Sequence, residues 1–494
     1  MKLIDLLSVL PFYQSVPNNL EQTEVTGIEM DSRKVIPGSV FVCIKGFTVD
    51  GHDFVKQAIE KGAVAIIAQR PVVGEIPVIT VRNTQRALAM LAAKFYHHPT
   101  NKLPLIGVTG TNGKTTVTYL LEKIFQEHNK KTGIIGTIQL KIGDEVFDIQ
   151  NTTPDALTLQ KVFSEMVEKD VEQVIMEVSS HALDQGRVYG CDYDIAVFTN
   201  LSQDHLDYHK DMADYLRAKS LLFAQLGNTY GEHEKFAVIN ADDTSASLLE
   251  KSTAQQILTY ACEEDADIKA ENIRLHLTGT TFDLKTPVGT IEINSSLIGL
   301  FNVYNMLAAS GAAIAAHVPL STIKLALEHL TGVNGRFESV VCDDIDQPYG
   351  VIVDFAHTPD SLENVLKTIS EFKKGKVYVV VGCGGDRDKT KRPLMAQIAC
   401  EYGDYAILTS DNPRTEKPEA IIQDMVDGLT GEQYNYKVIV NRKQAIYEAV
   451  NLAQANDIVL IAGKGHETYQ IIGREKTHFD DREIAREAIK RKGS

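Results

Sequence analysis

The chain is predicted to be an α/β protein of about three domains with mostly parallel sheets. Its 494 residues exceed what one ordinary core encloses. LPLIGVTGTNGKTTVTYLLEKIF (103–125) reads as a buried strand, a glycine-rich turn and a helix. After Gly332, apolar strand-like runs alternate with helical patterns four times, which implies βαβ units.

Composition narrows the class. The 44% hydrophobic and 23% charged fractions are those of a globular enzyme. No run approaches the ~20 apolar residues that span a bilayer, so no membrane insertion is expected. MKLIDLLSVL interrupts its apolar stretch with Asp5 and offers no small-residue cleavage site, so a cytoplasmic protein is expected. Six scattered cysteines form no C-x-x-C pair, which disfavours structural zinc and a disulfide framework. A net charge of −16 argues against nucleic acid as a partner. Any site for an anionic small molecule must then be a local cluster of cations and backbone N–H groups.

Residues 1–98 form the first expected domain, with β-rich runs SVFVCIKG, AVAIIAQ and IPVITV between helical stretches FVKQAIEKG and TQRALAMLAAKFYHH. The polar HHPTNKLP (97–104) reads as a linker. A second α/β domain over 99–332 follows, and its Ala-rich Met306–Val318 stretch reads as a buried helix. TGVNGRFE (331–338) is a candidate hinge into a third domain, 333–494. There the polar residues crowd where strands end: His357, Asp386 and Arg387, Asp411 to Arg414, and Gly463 to Glu467. Open α/β sheets bind ligands outside the carboxyl ends of their strands, so these groups are expected to face one place.

The loop after Leu105 reads as a phosphate cradle rather than a plain turn opening a helix. Backbone N–H groups around Gly110, Thr111, Asn112 and Gly113 suit β- and γ-phosphates, Lys114 adds a point charge, and the Thr115 hydroxyl suits Mg²⁺. The generic motif wants glycine at 108, where this chain has Val108, with Gly107 one place earlier. A second constellation follows. Glu177 ends a hydrophobic strand, where a magnesium ligand is expected after such a loop. Asp204, His205, Asp207 and His209 precede a helix bearing Lys219. Metal, acid and imidazole near a γ-phosphate suit phosphoryl transfer, although any one of these residues alone reads as a solvated polar group.

The blocks TGTNGKTT, MEVSSHALDQGRV, TNLSQDHLDYH, GLFNVYNMLAA, GRFE, DFAHTPDSLENVL, GCGGDRDKTKRP, DNPR and GKGHE, in this order, resemble the Mur ligases over essentially the whole chain. The displaced Gly107 is that family's pattern. The resemblance implies a UDP-sugar-binding N-terminal domain, a central ATP-binding domain and a Rossmann-like C-terminal domain that binds the incoming amino acid. It implies ATP contacts from Gly110 to Thr116 and from Asn305; Asn302, three residues earlier on the same helix face, reads as a helix cap. Ser32, Phe47, Thr48 and Val49 would contact the UDP-sugar. Asn151, Thr152, Thr153, Ser179, Gln185 and Arg187 would hold its muramoyl peptide. Lys219 would be carbamylated by CO₂ and share a second Mg²⁺ with Glu177 and His205.

The incoming amino acid would meet Arg387, Asp411, Asn412, Pro413, Arg414, Gly463 and Glu467. The arginine of DNPR, absent from lysine-adding relatives, favours meso-diaminopimelate, whose distal carboxylate it can take bidentately. The implied reaction activates the D-Glu γ-carboxylate of UDP-N-acetylmuramoyl-L-Ala-D-Glu as an acyl phosphate, then forms the amide. A monomer that closes about its two hinges is expected. The competing readings are a lysine-adding relative, a folylpolyglutamate synthase, and a P-loop switch ATPase with a partner-binding C-terminal domain.

Overall fold

The computed structural model describes residues 1–15, 20–46, 49–149, 151–228, 234–276, 279–330, 332–342, 344–345, 347–429 and 434–493. The described residues form three α/β domains, each around its own sheet.

The first sheet has five strands, four of them parallel, including Ser39–Val42, Ala65–Ala68 and Val78–Thr80. All three runs foreseen as β-rich are strands, and helices Val55–Glu60 and Thr84–Phe95 lie between or after them. The expected free linker is instead a docked segment. Pro99–Asn101 forms a 3₁₀ turn whose Pro99 and Thr100 are buried, and Asp192 N–H donates to Thr100 Oγ1 at 3.1 Å. A polar stretch with proline breaks regular structure, but the Thr100 hydroxyl still accepts from a backbone N–H of the central domain.

The second sheet has eleven strands. Its parallel centre places Leu105–Thr109 between Gln173–Glu177 and Ile195–Phe198. One end continues into antiparallel strands Ile268–His276, Gly279–Thr286 and Gly289–Ser295, which the sequence reading did not separate. The Ala-rich helix spans Leu300–Ala315 and is buried along most of its length; its small side chains let helix Lys114–Glu127 and the sheet approach closely.

The third sheet runs in the order Glu338–Ser339, Gly350–Asp354, Ile458–Ala462, Val377–Cys383, Tyr405–Ser410, Tyr436–Val438. The central four are mutually parallel and almost wholly buried, with helices on both faces. Their carboxyl ends therefore point together. A two-stranded hairpin, Tyr469–Ile472 with Glu475–His478, folds back beside the loop after Ser410.

Candidate active site

Strand Leu105–Thr109 delivers the phosphate loop, and Gly113 starts helix Lys114–Glu127 with φ +85°. The helix N-terminus and loop amides make an anion seat. Val108 is an ordinary fully buried strand residue, so no glycine is needed there. Gly107 is needed: a Cβ on it would lie 2.8 Å from the ring of the buried Tyr193. Gly110, at φ +148°, abuts the Thr199 hydroxyl. Gly110→Ala should therefore cost about 2 kcal/mol or more of stability and weaken ATP binding, read as a lowered Tm and a raised KM for ATP. Lys114 Nζ folds over the loop onto the carbonyls of Gly110 (2.9 Å) and Thr111 (2.7 Å). Thr111 Oγ1 meets Tyr215 OH at 3.2 Å, and Asn112 Nδ2 reaches across to Asp360 of the third domain at 2.8 Å.

Glu177 ends the neighbouring strand, buried, and accepts from Thr115 Oγ1 (3.1 Å), Thr137 N (2.9 Å) and Thr137 Oγ1 (2.9 Å). Lys219, on helix Met212–Ala224, is buried and donates to Gly110 O at 2.7 Å, with its Nζ 4.4 Å from the Tyr215 ring centroid. Burial, reinforced by Lys114, pushes its pKa well below the usual lysine value. His205 adopts a left-handed backbone (φ +56°), and burial presses its imidazole pKa down to about 3 against the opposing pull of Asp204. Asp204 is itself buried, 3.4 Å from Lys391 Nζ and 3.7 Å from His357 Nε2. Both partners come from the third domain; burial holds the His357 imidazole pKa down at about 4, so the charged link across the cleft is Lys391 with Asp204.

These groups share one cavity of about 380 Å³ with Asn151, Thr152, Ser179, Arg387, Asp411, Asn412, Arg414, Gly463 and Glu467. Arg414 lies in it at φ +51°, its backbone clasped by the hairpin through Arg414 N to Ile471 O (3.1 Å) and Gly473 N to Arg414 O (2.7 Å). Arg414 Nη1 bonds only to carbonyl oxygens, Gly385 O at 2.8 Å and Asn412 O at 3.5 Å. Arg387 Nη1 likewise holds the Asp386 carbonyl at 3.0 Å. Among the described residues neither guanidinium has a carboxylate partner. Burial, then the like charge of Arg387, presses the Arg414 pKa downward. Pro413 does not line the cavity; its carbonyl packs against Gly385.

A second cavity, about 360 Å³, adjoins the loop and is lined by Asn112, Gly113, Thr116, Tyr260, Phe301, Tyr304 and Asn305 among others. Asn305 Nδ2 donates to Asn302 Oδ1 at 3.1 Å, and Asn302 Nδ2 to Ile298 O at 2.9 Å. Asn302 is thus not the helix cap expected of it. Gly299 occupies that position, and Asn302, already inside the first turn, braces Asn305 instead.

Of the residues expected to hold the muramoyl peptide, Thr153 is central: its buried hydroxyl donates to Glu177 O (2.8 Å) and accepts from Ser179 N (3.0 Å). Arg187 Nη1 donates to Thr153 O (3.0 Å), and its Nε and Nη2 hold Gln185 Oε1 at 2.9 and 2.6 Å. Arg187 and Gln185 do not line the cavity. Ser32 lies in the first domain, bonded to Gln57 at 2.7 Å, outside both cavities, and Val49 is exposed. Phe47 and Thr48 lie outside the described residues.

Sequence reasoning missed four groups. Thr137 sits in an unremarkable IGTIQL stretch. Arg336 of GRFE spans both cavities, donating to Thr115 Oγ1 at 3.1 Å. Tyr469 lines the first cavity from the hairpin. Lys391 of KTKRP meets Asp204. Only the GRFE and KTKRP motifs carried a signal that could have found theirs.

Comparison with known proteins agrees with this geometry. Sequence models described as Mur ligase family, catalytic domain, Mur ligase middle domain and Mur ligase, glutamate ligase domain match residues 24–96, 108–313 and 335–465. The UDP-N-acetylmuramoyl-L-alanyl-D-glutamate–2,6-diaminopimelate ligase of Oceanobacillus iheyensis is 64% identical over the whole of both chains. That of Bacillus cereus is 58% identical over 99% of this chain and 98% of its own. A solved structure of a ligase of the same name superposes with a TM-score of 0.69 at 34% identity, covering 99% of each chain. With a nucleotide cradle and an unpaired cationic pocket in one cleft, and matches along nearly its whole length, the chain belongs to the Mur ligase family.

Proposed function

We propose that this chain is an ADP-forming acid–amino-acid ligase of peptidoglycan-precursor synthesis. It joins meso-2,6-diaminopimelate to the D-Glu γ-carboxylate of UDP-N-acetylmuramoyl-L-Ala-D-Glu. The observation that carries this reading is the pair of unpaired guanidiniums, Arg387 and Arg414, in the same cavity as Lys114. A distal carboxylate on the incoming amino acid satisfies them; lysine, which lacks it, leaves the half-buried Arg414 uncompensated.

ATP lies with its adenine in the cavity of Asn305 and its phosphates on Gly110–Thr116, and Lys114 releases the loop carbonyls to meet the γ-phosphate. Ser32, Phe47, Thr48 and Val49 hold the UDP-sugar, and Asn151, Thr152, Thr153, Ser179, Gln185 and Arg187 the muramoyl peptide. Asp411, Asn412, Pro413, Gly463 and Glu467 complete the amino-acid pocket. The γ-carboxylate attacks the γ-phosphate and ADP leaves. The amine then attacks the acyl phosphate carbonyl, and a tetrahedral intermediate collapses to amide and phosphate while the amine's proton passes to solvent or base. Positioning and charge stabilisation do most of the work.

The hydroxyl of Thr115 and the carboxylate of Glu177, 3.1 Å apart, are the hard oxygen donors that Mg²⁺ takes alongside phosphate oxygens. His205 and Lys219, the latter as its carbamate, suit a second ion. Bound there, Mg²⁺ would neutralise charge on the transferring phosphoryl group. Carbamate formation needs an uncharged amine, and the depressed pKa of Lys219 supports that reactivity. We take 1–98, 99–332 and 333–494 as the domain limits, closing over the three substrates. The protein acts in the cytoplasm as a monomer.

The test is ADP or phosphate release by purified protein with Mg²⁺, ATP and UDP-N-acetylmuramoyl-L-Ala-D-Glu. Release is expected with diaminopimelate and at a far lower rate with lysine. Release without any amino acid would instead indicate a switch ATPase.

A further inference from the structure

Beneath the amino-acid end of the cavity lies Lys464, fully buried and outside the cavity lining. Its Nζ donates to Glu467 Oε2 at 2.8 Å and to Asn412 Oδ1 at 3.2 Å. Ile471 N–H donates to the same amide oxygen at 3.0 Å, and Asn412 Nδ2 donates to Glu467 Oε2 at 2.8 Å. The triangle sets which way the Asn412 amide faces and occupies one oxygen of Glu467 twice. Among the described residues the other oxygen has only the Tyr469 hydroxyl, at 3.5 Å.

We propose that Lys464 is a positioning residue for the amino-acid site: by holding Glu467 and Asn412 it keeps Glu467 from pairing with Arg414, and so leaves that guanidinium open to substrate. The inference rests on the reading of this pocket as the diaminopimelate site. Arg414 already feels the charge of Asp411 and Glu467 within the cavity. A carboxylate freed beside an unpaired guanidinium in a closed, poorly solvated cleft would pair with it. The pocket would then neutralise itself and lose its vacancy for a carboxylate. An ammonium suits the task because one compact point charge with three donors serves both acceptors, where a planar fork would need more room. An apolar residue would fill the same space at less desolvation cost, so stability alone does not account for a charge buried here.

The test compares KM for diaminopimelate, ATP and the nucleotide-peptide, together with Tm, across wild type, Lys464→Met, Lys464→Gln, Lys464→Arg, Glu467→Gln and the Lys464→Met/Glu467→Gln double variant. Lys464→Met should raise KM for diaminopimelate at least about tenfold and leave KM for ATP within about twofold. Lys464→Arg should recover part of the loss. The double variant should bind diaminopimelate no worse than Glu467→Gln alone, because a neutral side chain cannot capture Arg414. Equal rises in all three KM values, or additive losses in the double variant, would overturn the proposal. If Lys464→Met and Lys464→Gln both fail to fold while Lys464→Arg folds, Lys464 belongs to the scaffold and the proposal is likewise overturned. A wild-type enzyme that ignores diaminopimelate sinks the functional reading; a wild type that uses it, beside an unchanged Lys464→Met, sinks only this inference.

Discussion

Arg414→Ala should lower kcat/KM for diaminopimelate about a thousandfold while KM for ATP stays within about twofold. The side chain faces the cavity from a left-handed backbone position that the hairpin holds through two main-chain hydrogen bonds, so truncation leaves the loop in place. What is lost is a bidentate partner for a carboxylate that has no other strong donor nearby except Arg387, which is exposed at its far side. Arg414→Lys should recover little, because a point charge cannot form two parallel N–H···O bonds. Steady-state kinetics with diaminopimelate and lysine side by side check this. Equal losses for ATP and diaminopimelate would contradict the role given to Arg414.

Lys219→Ala should lower kcat by about 10³-fold with little change in Tm. A buried ammonium beside Lys114 gains almost nothing for folding: its hydrogen bond to Gly110 O and its approach to Tyr215 are set against the cost of burying the charge. Its proposed worth is chemical: as a carbamate it would offer anionic oxygens to a Mg²⁺ ion, and that ion would offset the phosphoryl charge. Intact-protein mass spectrometry under bicarbonate should show wild type heavier by one CO₂, and the alanine variant without that increment. A variant with wild-type turnover would remove Lys219 from the mechanism.

Much of this was legible in the residues. The phosphate loop is contiguous, so strand, glycines, Lys114 and Thr115 could be read in one pass. The four parallel strands of the third domain announced themselves by apolar runs, and with them the convergence of Arg387, Arg414 and Glu467. The antiparallel strands between Ile268 and Ser295 were not separated: the first loses its alternation at a register shift between Glu271 and Arg274, and the next two, though alternating, were read as part of one long α/β segment. Thr137 carries no motif; only the pairing of Thr132–Ile135 with Gln173–Met176 brings it to Glu177. Asn302 was misread as a cap because spacing on a helix face does not say where the helix begins, and that depends on Gly299.

Every side chain proposed to touch the incoming amino acid lies between Arg387 and Glu467, on loops of a single sheet, whereas the loop proposed to hold ATP belongs to another. The third unit nevertheless reaches that loop through Asp360 and Arg336, so choice of building block sits in one unit while use of fuel draws on two. Exchanging the third unit between relatives should trade one cell-wall chemistry for another only where those two contacts are kept.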